Sequence, residues 1–105
     1  LDARTKRRIL RALEKGEEIQ TKIMGHPYVI SYVPEFEHIT ATPLPPRCGD
    51  TATNAIPWDD YRYTHGGQIY RQAVEWCHEL YDEFVKRRAG LLARDEASLR
   101  TVKEE

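Results

Sequence analysis

The sequence holds little of what usually announces chemistry. Its two cysteines, Cys48 and Cys77, are far apart and outside any CxxC spacing, which excludes a disulfide scaffold. A cytoplasmic or other reducing intracellular compartment is the simpler expectation, with a single bridge left open. No Ser-His-Asp, Cys-His or HExxH arrangement is present, so no catalytic, cofactor or metal residue is assigned. No apolar run approaches the roughly 18 residues of a membrane span, and no signal-peptide core is visible. A soluble chain is expected, with no membrane among its partners. The chain opens on Leu1 without a methionine, which fits a trimmed start that would hide a targeting segment.

Charge of one sign is lacking too. Sixteen basic residues stand against seventeen acidic ones, so no overall field steers the protein to DNA or a membrane, and any electrostatic function must come from local clustering. Hydrophobic residues make up 40% and charged residues 31%; roughly a quarter charged is usual. Such a surface-rich chain suits a small or elongated subunit, and at 105 residues it has room for one core.

What is there reads as α+β: an N-terminal helix, a two- or three-stranded antiparallel sheet, a long loop and a long C-terminal amphipathic helix. Residues 1–89 form the domain and 90–105 a helical extension or tail. The segment Asp2 to Lys15 predicts a helix capped by Asp2 and stopped by Gly16, with Ile9, Leu10 and Leu13 on one side. Two alternating runs, Ile19–Ile23 and Tyr28–Val33, flank the turn-forming cluster Gly25, His26, Pro27 and predict a hairpin. Phe36 to Thr42 can add a third strand, with Pro34 at an edge or bend. From Pro43 to Asp60 nothing is periodic. A loop longer than about 12 to 15 residues is uncommon in a compact domain and is usually functional or disordered; Leu44, Ile56 and Trp58 argue for order.

The strongest pattern runs from Gln68 to Ala89. Ile69, Ala73, Trp76, Cys77, Leu80 and Phe84 fall together at helical spacing, and Tyr70, Val74, Tyr81 and Val85 widen the arc to about 180°. An arc that wide predicts contact with two neighbours, the sheet and the first helix. The same phase continues through Leu91, Leu92, Leu99 and Val102, as if one helix ran from about Thr64 towards Lys103; one internal glycine, Gly90, costs about 1 kcal/mol and does not forbid it. A helix of that length overruns a core of this size, so these four residues are expected to pack on another chain, a second copy or a larger partner. The competing geometry breaks at Gly90 and folds a short third helix back.

Several clusters carry functional alternatives. Arg4, Arg7, Arg8, Arg11 and Lys15 share one face of the first helix, where like charges at i,i+3 and i,i+4 repel. An external polyanion, nucleic-acid phosphate or an acidic protein, would relieve them; the plain alternative is a solvated face. Thr64, His65, Gly66 and Gly67 open the long helix, and an anion can sit against its free N–H groups with help from Arg62; the plain alternative is a Thr64 cap and a sharp turn. Lys86, Arg87 and Arg88 follow acidic residues on their own helix and read as ordinary helix stabilisation. The run Thr42 to Arg47 resembles a polyproline ligand and reads more simply as a rigid loop wall. Adjacent Cys77 and His78 point about 100° apart, unlike metal-ligand pairs, while Glu35 and Glu37 would face away from His38 on a strand. A small enzyme would have to use the 47–65 loop, with Asp59, Asp60 and His65. The leading expectation is a non-enzymatic accessory or structural subunit acting by protein–protein interaction, and the alternative is a nucleic-acid-binding module using the first helix.

Overall fold

The structure, a computed structural model, describes the backbone of residues 1–46 and 49–104 and the side chains of residues 1–46 and 49–88. It opens with α1 (Ala3–Glu14), whose first turn is capped as the sequence demands: the Thr5 N–H donates to Asp2 Oδ1 at 2.7 Å. At the other end Gly16 takes φ +75°, so that the Glu17 N–H reaches the Ala12 carbonyl at 2.9 Å and the Gly16 N–H the Leu13 carbonyl at 3.1 Å. This pair of bonds is the Schellman ending, which turns the chain into the sheet.

The sheet has four antiparallel strands in sequential order, β1 (Ile19–Ile23), β2 (His26–Val33), β3 (His38–Pro43) and β4 (Ala52–Thr53), rather than the two or three that alternation suggests. The extra strand lies inside the segment 43–60, which reads as unbroken loop. Two paired residues are too short to show a period of two; Ala41 and Ala52 pair because both are small and fully buried. The hairpin turn is Met24–Gly25, not the Gly25–Pro27 cluster, with both residues at positive φ (52° and 81°), the conformation a two-residue hairpin needs to match strand twist. Pro27 can therefore lie within β2, opposite Lys22. The third strand starts at His38, because Pro34–Glu37 make the turn; Phe36, expected in the strand, is 69% exposed there.

One face of the sheet, carrying Thr21, Ile23, Tyr28, Ile30, Ile39, Ala41 and Ala52, is buried. Both long helices lie against it, α1 touching β1 and β2, and α3 touching β1, β3 and β4. A short helix, α2 (Tyr61–His65), precedes α3 (Gln68–Glu104), so the long helix does not begin at Thr64. Asp60 caps α2 by accepting from the Arg62 N–H at 2.8 Å, and the chain bends at Gly66. There a Cβ would stand 2.5 Å from the Arg62 carbonyl and 2.6 Å from the Tyr70 ring, so only glycine fits.

Ala73, Val74, Trp76, Cys77, Leu80 and Phe84 are buried, which meets the helical arc apart from its edge: Val85 is 42% exposed. The second neighbour of the arc is α1, whose Ile9, Leu10 and Leu13 join the same core. Past that core α3 continues as one helix through Gly90 to Glu104, which removes the folded-back alternative. Among the described residues no helix is long and apolar enough to cross a membrane.

Candidate functional site

α1 turns its apolar side to the sheet and leaves its cations together on the other. Arg4, Arg7, Arg8, Arg11 and Lys15 line one shallow groove of about 440 Å³ with Ala12 and Glu17. Their described contacts are weak: Arg7 Nε donates to the Ala3 carbonyl and Arg8 to Thr21 Oγ1, both at 3.4 Å. Among the described residues none of the five lies within ion-pair distance of a carboxylate; the two ion pairs are Arg62 with Asp60 and Arg87 with Glu14. Among the described residues, then, no acid forms an ion pair with this face.

The basic run at 86–88 is used differently. Arg87 Nε lies 2.7 Å from Glu14 Oε1, tying α3 to the end of α1. Arg88 donates to Tyr32 Oη at 3.2 Å and sits 5.8 Å from the Phe84 ring centroid. Both fasten α3 to the domain just beyond Phe84, the last buried residue described.

Arg62, His65, Gly66 and Gly67 do come together, around a cavity of about 250 Å³ that Asp50, Tyr61 and Tyr70 also line. The electrostatics there are mixed. Arg62 Nε is 3.6 Å from Asp60, the Asp50 carboxylate is on the wall, and His65 is stacked on Tyr61 at 3.9 Å with Nδ1 held by Thr64 Oγ1 at 2.8 Å. The Tyr70 hydroxyl is buried without a hydrogen-bond partner among the described residues, and desolvation pushes its pKa up. Gly66 has a packing reason in the bend, whereas a Cβ on Gly67 would meet nothing within 4 Å.

Sequence reasoning missed the aromatic layer that orders the loop. Trp58 stacks on His78 at 4.1 Å and meets Tyr63 edge-on at 5.2 Å, while His78 Nε2–H donates to the Ile56 carbonyl at 2.7 Å and the Tyr63 hydroxyl to Glu75 at 2.9 Å. Desolvation and that carboxylate raise the Tyr63 pKa. The signal was present in Trp58 and His78, but only their contact explains it. Cys77, by contrast, is buried against the Ala52 carbonyl at 3.5 Å, and desolvation pushes its thiol up to about 12, leaving it a neutral packing group.

Among the described residues no three His, Cys, Asp or Glu side chains gather as a metal group. Glu35 and Glu37 lie in the turn before β3, not on a strand. Thr42 and Pro43 belong to the β3 ladder, so the proline run is no free polyproline segment; Arg47 and Cys48, like the side chains of Leu91, Leu92, Leu99 and Val102, lie outside the described residues. The architecture defines a two-layer α+β domain with both long helices on one face of an antiparallel meander. The chain matches no protein-family model, no curated protein and no solved structure.

Proposed function

We propose that this protein is a non-enzymatic accessory or structural subunit that works by protein–protein interaction, with the C-terminal half of α3 as its partner surface. The observation that carries this reading is the reach of α3. Its 37 residues span about 55 Å at 1.5 Å each, and the molecule measures 58 Å along one axis but 26 and 25 Å along the others. Phe84 is the last buried residue described, and Arg87 and Arg88 make the last described fastenings. Beyond them the sequence keeps the apolar phase of the buried stripe through Leu91, Leu92, Leu99 and Val102, a seam suited to a second helix. Arg94, Asp95 and Ser98 interrupt it, so the seam is narrow and its association weaker than the domain's own core.

Light scattering of the whole chain against a chain ending at Ala89 tests this. The whole chain is expected to associate, alone or with a partner purified beside it, and the shortened chain to be monomeric with an unchanged thermal midpoint. Monomers in both cases, of equal stability and with the same co-purifying proteins, leave the reading without support.

A second reading, nucleic-acid binding, is favoured by one observation: five cations line one groove of α1, and among the described residues none of them is ion-paired with a carboxylate. Replacing Arg4, Arg8 and Arg11 by glutamine is expected to weaken binding to a short DNA or RNA duplex at low salt. The slope of log K against log salt should flatten by about one for each phosphate that the variant no longer neutralises. Duplex binding that is absent at low salt, or unchanged in the triple variant, removes it.

A further inference from the structure

The free edge of the sheet carries an inference that depends on neither reading above. β1 is an outer strand, paired among the described residues with β2 alone. In a two-residue hairpin the residues flanking the turn exchange both main-chain bonds, and such pairs then alternate. Ile23↔His26, Thr21↔Tyr28 and Ile19↔Ile30 are therefore the bonded pairs, while Lys22↔Pro27 and Gln20↔Val29 are not. Two facts agree with this parity: Pro27 has no N–H to offer Lys22, and its carbonyl instead accepts from the Leu44 N–H, on the β3 side, at 3.0 Å. The N–H and C=O of Gln20 and Lys22 consequently point outward from the sheet, and among the described residues no main-chain or side-chain group bonds them.

A groove of about 650 Å³ lies against this edge. Gln20, Thr21 and Lys22 form one side, Leu1, Asp2, Thr5 and Arg8 the other, and Trp76 lines it too. Natural sheets blunt an edge with a charge such as Lys22, with proline or a bulge, or by covering it; here α1 stands beside the edge without filling the space. The charge of the groove is one-sided in what it offers. Asp2 is engaged as the cap of α1, and its bond from the Thr5 N–H holds its carboxyl below the ordinary range. Arg8 has only a long bond to Thr21 Oγ1, and neither Arg8 nor Lys22 has a described carboxylate partner.

From this juxtaposition we infer that the β1 edge is a docking groove for an extended, acidic segment of a partner protein, which adds to the sheet as a fifth strand. The main chain of Gln20 and Lys22 supplies up to four hydrogen bonds, which fix the register of the incoming strand without reading its sequence. Alternate side chains of that strand turn towards α1. One of them meets the apolar wall formed by Leu1 and Trp76, and a neighbour two residues along meets the Arg8 guanidinium, which binds a carboxylate through two parallel bonds.

The test uses the whole chain and a labelled probe, acetyl-Thr-Glu-Thr-Val-Thr-Glu-Thr-amide, which reads alike in both directions and so serves either strand orientation. Fluorescence polarisation is expected to give a Kd on the order of 100 µM, as suits a short peptide. A probe with lysine for both glutamates should bind at least about tenfold more weakly, one tenfold step being 1.4 kcal/mol. The decisive variant is Gln20→Pro. Proline is tolerated on an edge strand where the N–H faces out, so it deletes one docking donor and leaves the β1–β2 ladder intact. Binding should weaken about tenfold with the circular dichroism spectrum unchanged. Independently of any variant, the Gln20 and Lys22 amides of the unaltered chain should shift and exchange more slowly when the acidic probe is added. The inference is overturned by no saturable binding up to about 1 mM, or by amide changes that spare Gln20 and Lys22. It is equally overturned if Arg8→Gln and added salt abolish binding that Gln20→Pro leaves untouched, for the probe is then held by charge alone.

Discussion

Leu80→Ala is expected to lower the stability of the domain by about 2–5 kcal/mol. Leu80 is fully buried, and it lies in the stretch of α3 that packs on the sheet beside Cys77 and Phe84. Alanine removes the transfer energy of the deleted carbons and leaves a hole, because α3 is fastened on both sides of it. Cys77 and Trp76 are held in the core one turn before, while Phe84, one turn after, meets Tyr32 at a tilt with ring centroids 4.6 Å apart, and Arg87, a turn further on, grips Glu14. The helix cannot settle into the void without breaking those contacts, which puts the loss well above that of a surface truncation. Val85→Ala is the control, since Val85 is 42% exposed and its truncation should stay within about 0.5 kcal/mol. Urea unfolding of the two variants measures both; equal midpoints would mean that the core is not built around this face of α3.

Asn54→Ala is expected to cost about 1–3 kcal/mol, by a different route. Asn54 Oδ1 accepts the Ile39 N–H at 2.7 Å, and Nδ2 donates to the Glu37 carbonyl at 3.3 Å. One side chain thus continues the sheet where β4 has already ended, satisfying main-chain groups at the start of β3 that no further strand reaches. Alanine leaves the Ile39 amide, on a fully buried residue, without its acceptor, and the penalty is the desolvation of that group rather than the modest net value of a hydrogen bond. Asn54→Asp retains the acceptor and loses the donor, so it should lie between the wild type and alanine. Hydrogen exchange localises the effect: the Ile39 amide should lose protection in Asn54→Ala more than the β1–β2 ladder does. Uniform loss across the sheet would point to global destabilisation and remove the special role of this residue.

The parts of the fold that were legible in advance share one property: their information is local and periodic. Asp2 and Gly16 bracket α1 because capping is decided within four residues. The arc from Ile69 to Phe84 reads directly as a buried stripe because helical periodicity repeats often enough to be seen. The hairpin was visible in its alternating strands, but its turn was displaced, since Met24 offers no turn signal and takes positive φ only because the register of β1 on β2 requires two such residues in succession. Thr64 reads as a cap of the long helix, but it lies inside α2, a separate helix that Asp60 caps; the bend at Gly66 separates the two helices through contacts with Arg62 and Tyr70 that no spacing reveals.

The candidate sites divide along the same line. That five cations share a face of α1 follows from residue spacing alone, as does the apolar phase that the sequence continues past Phe84. That the cations have no ion pair among the described residues depends on where the acids land in space, and Glu14, the nearest in sequence to that face, is drawn instead to Arg87 of α3. The groove beside β1 has no sequence signature at all: it exists because α1 packs over the inner face of an edge strand and stops short of its rim. Composition and periodicity settle the two long helices, the alternating strands and the side each presents to the core, because those depend on neighbours along the chain. The fourth strand, the aromatic layer on Trp58 and the open edge arise from residues brought together across the fold, where packing and unsatisfied main-chain groups decide the outcome.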